Sequence, residues 1–73
     1  MSSKEQLLKN FGKRLVMLRK EQNLSQSDLA RLTGKDRQNI YRIEKGDLNP
    51  TLFQLTELAT ALKISVSELV NLG

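Results

Sequence analysis

Three times in 73 residues a hydroxyl-bearing side chain is followed, three places on, by one able to reach back to it: Ser25 with Asp28, Thr51 with Gln54, and Ser65 with Glu68. In such a capping box the hydroxyl oxygen accepts the amide hydrogen of the third helical residue, whose side chain in turn accepts the amide hydrogen of the cap. Two donors that every helix start leaves orphaned are thereby satisfied. Each box marks a beginning, and stop signals fall between them. Gly34 and Gly46 suit the left-handed conformation in which helices commonly end, and Asn23 tolerates it better than most residues. Asn49 and Pro50 mark a loop. With Asp36 as a further cap, these signals predict five helices, over about 4–22, 26–33, 37–45, 52–62 and 66–72. No strand pattern, internal repeat or linker interrupts them, so residues 1–73 are expected to form one all-α domain.

Apolar residues recur at helical spacing in each segment. Leu8, Phe11, Leu15 and Leu18 form a stripe on the first helix, and Leu29, Ala30 and Leu32 are the apolar positions of the second. Leu52, Leu55, Leu58, Ala59 and Leu62 give the fourth its buried face. The expected core centres on Leu15, Leu18, Leu29, Ile40, Ile43, Leu55, Leu58 and Leu62. Gly12 stands inside the first helix, where it costs about 1 kcal/mol relative to alanine; close approach of another helix would account for it. The fifth segment carries more apolar residues than a terminal helix needs. Val66, Leu69, Val70 and Leu72 are therefore expected to bury surface between two copies of the chain.

Composition removes several functions. There is no cysteine and no histidine, so disulfides, thiolate metal sites and the usual neutral-pH general base are absent. The eight acidic residues are scattered, with none at calcium-loop spacing. No nucleophile, base and orienting group can be assembled, so catalysis, a metal and a cofactor are not expected. The apolar runs fall far short of the roughly 20 residues a membrane span needs, and MSSKEQ does not resemble a secretory signal. A cytoplasmic protein, with no membrane partner, is expected. The basic, amphipathic segment 4–22 could lie on a membrane surface, but its stripe is needed by the core.

Charge is unevenly placed. The net +4 divides into +6 over residues 1–45 and −2 over residues 46–73, which turns the first part toward a polyanion. Within it, the third helix sets Ile40 and Ile43 on one side and leaves Arg37, Gln38, Asn39 and Arg42 to face outward. A rigid helix with long polar donors on its exposed side is what the major groove of DNA admits. Arg can donate two hydrogen bonds to guanine O6 and N7, and Gln can pair with adenine N6 and N7. Arg37, Gln38, Asn39 and Arg42 are the expected base readers. Gln26 opens the second helix, where unpaired amides and partial positive charge form an anion site, so it is expected at a phosphate. Tyr41 could lay its ring on the core and offer its hydroxyl to a phosphate, or simply pack. Lys45, Asn49 and Thr51 should lie along the DNA backbone and set register.

These residues resemble the helix-turn-helix family of the phage Cro and C1 repressors, the XRE-type regulators. The resemblance covers about Phe11 to Leu72 and rests on Gly12 followed by Arg19, on LSQSDLA, on Gly34, on IYRIEKG, on NPTLFQLTELATAL and on ISVSEL. It implies a lambda-repressor-like, compact five-helix bundle in which helices 2 and 3 form the DNA-reading unit. It also implies a twofold homodimer on a near-palindromic double-stranded operator, acting in transcription, with repression expected, in a bacterium or phage. The family's matching Gln touches the backbone and braces the recognition helix, a role that falls to Gln26. Its helix 1 Arg and helix 3 Glu form a partly buried ion pair, which falls to Arg19 and Glu44. Two positions depart from the pattern. Lys35 replaces a small apolar residue after the turn glycine, and its stem is expected to pack while its ammonium reaches solvent or phosphate. Asp36 replaces the common Ser or Thr cap and sets a negative charge near the DNA.

Two other functions fit the same pattern. One is an antitoxin that neutralises a toxin through its surface, though no toxin-binding arm is evident beyond the fifth helix. The other is a restriction–modification controller protein, whose small format suits this chain. The sequence identifies neither a toxin nor a polymerase contact, and it names no operator or effector.

Overall fold

The computed structural model describes residues 3–73, which form five helices and no strand; Met1 and Ser2 lie outside the described residues. The helices are α1 (Lys4–Glu21), α2 (Gln26–Thr33), α3 (Arg37–Lys45), α4 (Leu52–Leu62) and α5 (Val66–Leu69). All three predicted capping boxes close, with the cap side chain of Ser25, Thr51 and Ser65 accepting from the backbone of Asp28, Gln54 and Glu68. Asp36 caps α3 by accepting the Asn39 amide at 2.8 Å, and Ser3 caps α1 by accepting from Gln6 at 3.0 Å. Gly34 and Gly46 end α2 and α3 at φ +68° and +83°. Asn23 turns left-handed after α1, and so does Lys63 after α4, where no glycine or asparagine announced it.

α5 is shorter than the 66–72 expected from its apolar spacing. The Glu68 carbonyl accepts from Arg14 Nη2 at 2.7 Å and Nε at 3.3 Å, and from the Asn71 amide at 3.3 Å. Continuing the helix would give that carbonyl to the Leu72 amide. Arg14 on α1 thus holds the acceptor that the next turn would need.

The core gathers Phe11, Leu15 and Leu18 of α1, Leu29 and Ala30 of α2, Ile40 and Ile43 of α3, Leu58, Ala59 and Leu62 of α4, and Leu69 of α5. Leu55 packs against its rim and is only partly buried. Leu52, expected on the buried face of α4, is 73% exposed, and Leu32, an apolar position of α2, is 55% exposed. Periodicity assigns them an apolar neighbour, but no element covers the outer side of α2 or the first turn of α4. Phe53 is also 71% exposed, and it shares a shallow groove with Leu32, Glu57 and Ala61. Leu69 is fully buried inside the single chain. It therefore cannot serve the intermolecular surface assigned to it; Val66 and Leu72 are half-buried, and Val70 is exposed.

Gly12 lies where α1 meets the end of α3. A methyl group there would collide with the Glu44 carbonyl oxygen and would sit 2.7 Å from the Glu44 carbonyl carbon and 2.9 Å from the Ile43 oxygen. The glycine lets the two backbones touch, which fixes the tilt of α3 on the bundle.

Candidate nucleic-acid interface

α2 and α3 pack against each other across a tight turn of Gly34, Lys35 and Asp36. The turn is fixed by the Gly34 and Lys35 amides, which donate to the Arg31 and Ala30 carbonyls. Ile40 and Ile43 are buried to 1% exposure or less, which forces the opposite side of α3 outward. Arg37, Gln38, Tyr41, Arg42 and Lys45 are exposed, and Asn39 is half-buried. A polar depression lined by Gly34, Lys35, Asp36, Gln38, Asn39 and Arg42 runs along the turn and the start of α3.

A hydrogen-bonded chain holds this surface to the interior. Arg19 Nε and Nη2 donate to Glu44 Oε2 and Oε1 at 2.7 and 3.0 Å. Arg19 Nη1 donates to the Leu24 carbonyl at 2.9 Å. The side chains are 10% and 5% exposed, so this is a covered, forked pair of the strong kind. Gln26 Nε2 donates to the same Glu44 Oε1 at 2.9 Å, and Arg37 Nη1 donates to Gln26 Oε1 at 3.1 Å. The carboxylate requires a donor and the guanidinium an acceptor, so the Gln26 amide has one orientation.

One of the two Gln26 Nε2 hydrogens points into the protein toward Glu44, and the amide oxygen braces Arg37, which leaves a second hydrogen for the phosphate expected there. Lys35 departs from its expected place. Its side chain is 15% exposed, and its ammonium pairs with Glu57 Oε1 on α4 at 3.0 Å instead of reaching outward. Tyr41 is 39% exposed, and its ring lies beneath the Lys45 ammonium, 5.6 Å from centroid to Nζ. That contact is a cation–π arrangement on the surface, not a place in the core. Lys45 also lies 3.7 Å from Asp47. Thr51 is exposed, but its amide and hydroxyl are engaged with Gln54 in the cap; Asn49 is exposed beside it. Asn39 Oδ1 is buried without a hydrogen-bond partner among the described residues.

Electrostatics at the start of α2 are local. The Asp28 carboxyl is held below its usual range, chiefly by the Ser25 amide, then by the Ser25 hydroxyl and by Arg31. Arg31 Nη2 lies 3.1 Å from it. Glu57, which pairs with Lys35, and Arg14, which donates to the Glu68 carbonyl, are two contacts that sequence reasoning missed. Glu57 is the one charged residue of α4, Arg14 is one of many on α1, and no periodicity says that either turns toward a particular partner. Among the described residues, no group of three or more acidic side chains could hold a metal ion, and no helix is long and apolar enough to cross a membrane.

Two helices joined at a glycine turn, the second buried on one side and polar on the other, make a helix-turn-helix unit. The helix-turn-helix family model matches residues 15–69, and the chain belongs to that family. It is 39% identical over 63 residues to an uncharacterized HTH-type transcriptional regulator of Sinorhizobium fredii, covering 86% of this chain and 82% of that protein. Among solved structures it resembles the restriction-modification controller protein C.AhdI of Aeromonas hydrophila, at 45% identity and a TM-score of 0.83, over 85% of this chain and 94% of the controller. It also resembles an HTH_3-family transcriptional regulator of Vibrio cholerae, at 30% identity and a TM-score of 0.85, over 92% of this chain and 38% of that one.

Proposed function

We propose that this DNA-binding transcription regulator acts as a homodimeric repressor that inserts α3 into the major groove of a near-palindromic operator. The observation that carries the reading is the division of α3: Ile40 and Ile43 are sealed inside, while Gln38 and Arg42 stand free outside. Gln38, Arg42 and Asn39 read base edges. Arg37 joins them while tethered, because one of its N–H groups goes to Gln26 and a guanidinium carries five. Lys45, the Tyr41 hydroxyl, Asn49 and Thr51 line the DNA backbone and set register. A bacterial or phage regulator of this kind works in the cytoplasm.

Dimerisation is supported by apolar side chains left uncovered. Leu52 and Phe53 are the most exposed of them and follow directly on Thr51, so they border the proposed backbone contacts. Val70, half-buried Leu72 and Leu7 flank a second apolar groove beside α5. Phe53→Asp and Val70→Asp, compared by mass at micromolar concentration with and without operator, separate the two faces. A dimer through either should set its recognition helices roughly 34 Å apart.

A restriction–modification controller is the particular role best supported, by 45% identity across nearly the whole of one such protein. Selection of binding sites from random duplexes tests both levels. An enriched palindrome is expected, recurring beside restriction–modification genes in the source genome. Retention of no duplex of any sequence at low salt would overturn the DNA reading; a palindrome found only elsewhere would remove the controller role.

A further inference from the structure

We propose that Glu57 sets the sequence-blind part of DNA affinity, acting by withholding the Lys35 ammonium from the DNA backbone. The proposal rests on the DNA-binding reading above. Lys35 sits in the turn between α2 and α3, its amide pinned to the Ala30 carbonyl at 2.9 Å. It lines the same polar depression as Gln38, Asn39 and Arg42, so its stem begins at the reading surface. Its ammonium nevertheless ends on α4, 3.0 Å from Glu57 Oε1, with the two side chains 15% and 29% exposed. A pair so largely covered is screened by salt much less than a surface pair.

A lysine beside a polyanion gains affinity by displacing condensed counterions, and that gain is blind to sequence. Glu57 offers the same ammonium a carboxylate inside the molecule. While that pair holds, the turn presents the Asp36 cap and no free cation of its own. Attraction to arbitrary duplex is then weaker than the formal charge suggests, and base contacts by Gln38 and Arg42 carry a larger share of operator affinity. Glu57 touches no base and is a positioning residue, acting through Lys35.

The test is a set of salt titrations, by fluorescence anisotropy, with a selected operator and a random duplex of equal length. Glu57→Gln is expected to tighten the random duplex by about three- to tenfold and to steepen the log–log salt slope by about one. The operator should gain by about the same factor, so its advantage over the random duplex stays constant. Glu57→Asp keeps the charge but shortens the reach, and should steepen the slope in the same direction. Lys35→Met alone should leave the random-duplex slope as it is, and Glu57→Gln added to it should have no further effect on the slope. Thermal melting of each variant establishes that it is folded.

Three results would overturn the proposal: an unchanged slope in both Glu57 variants, a slope reduced by about one in Lys35→Met, or a Glu57→Gln effect that persists without Lys35. The second would mean that the ammonium already reaches phosphate, and the third that removal of any negative charge suffices. If the wild-type protein bound no duplex at all, the DNA reading itself would fall.

Discussion

Gly12→Ala sets two physical effects against each other. Alanine in the middle of a helix is favoured over glycine by about 1 kcal/mol, so propensity alone predicts a more stable protein. The contact with α3 predicts the reverse. The new methyl carbon would stand 2.7 Å from the Glu44 carbonyl carbon and nearer still to its oxygen, and ordinary contact begins at 3.4 Å, so the backbones must part by more than about 0.7 Å. The obstruction is main chain on both sides, with no flexible side chain to swing away. Overpacking costs typically about 1–3 kcal/mol, and a rigid obstacle belongs at the upper end. Subtracting the propensity gain leaves a net loss of about 2 kcal/mol. A chain of this size should have a urea m-value near the low end, about 1 kcal/mol/M, so the unfolding midpoint should drop by about 2 M. Because α3 is the element displaced, operator affinity at a fixed fraction folded should fall as well. A midpoint equal to or above that of the wild type would refute the reasoning, since it would mean that the close approach of α1 and α3 constrains nothing.

Further outcomes follow from the same geometry. Glu44→Gln or Arg19→Met should each destabilise the fold by about 3–5 kcal/mol, because each leaves a covered charge without its partner; a double-mutant cycle in urea checks this, and coupling near zero rejects the pair. Gln38→Ala should relax preference at one base pair, whereas Lys45→Ala should weaken every duplex about equally and lower the salt slope by about one; the opposite pattern would reverse the two roles. The depressed Asp28 carboxyl stabilises the folded chain above its unfolded value of about 3.9, and that stabilisation is lost as pH falls through the lower folded value. Asp28→Asn should therefore flatten the dependence of stability on pH below about pH 4, measured by urea midpoints, and an unaltered acid limb would count against the cap.

Where the sequence was legible, the signal was chemical and local. A Ser or Thr with its partner three residues on names the first turn of a helix whatever surrounds it, which is why α2, α4 and α5 begin where the boxes place them. Gly12 was legible for a related reason: a costly residue inside a helix implies a neighbour at that point. The ends of interactions were harder. Lys35 has a long stem, and nothing near it in sequence reveals that Glu57, 22 residues away, will hold the ammonium. The donor that meets the Glu68 carbonyl at the end of α5 is Arg14, 54 residues upstream. Leu32 and Leu52 match a helical period, but period says only that a side exists, not that something covers it. Gln26 illustrates the limit within a site: position alone put it at the anion-binding end of α2, while its partners Glu44 and Arg37 decide which way its amide turns.

The tether from Gln26 to Arg37 bears on how a protein of this design could acquire a new target. Replacing Arg37 with a shorter reader hands the Gln26 carbonyl oxygen to water and loosens the amide, and replacing Gln26 slackens both Arg37 and the carboxylate behind it. A change of taste for one base would then be most readily inherited as a matched exchange at both positions, and single-site libraries built on α3 alone would overlook it.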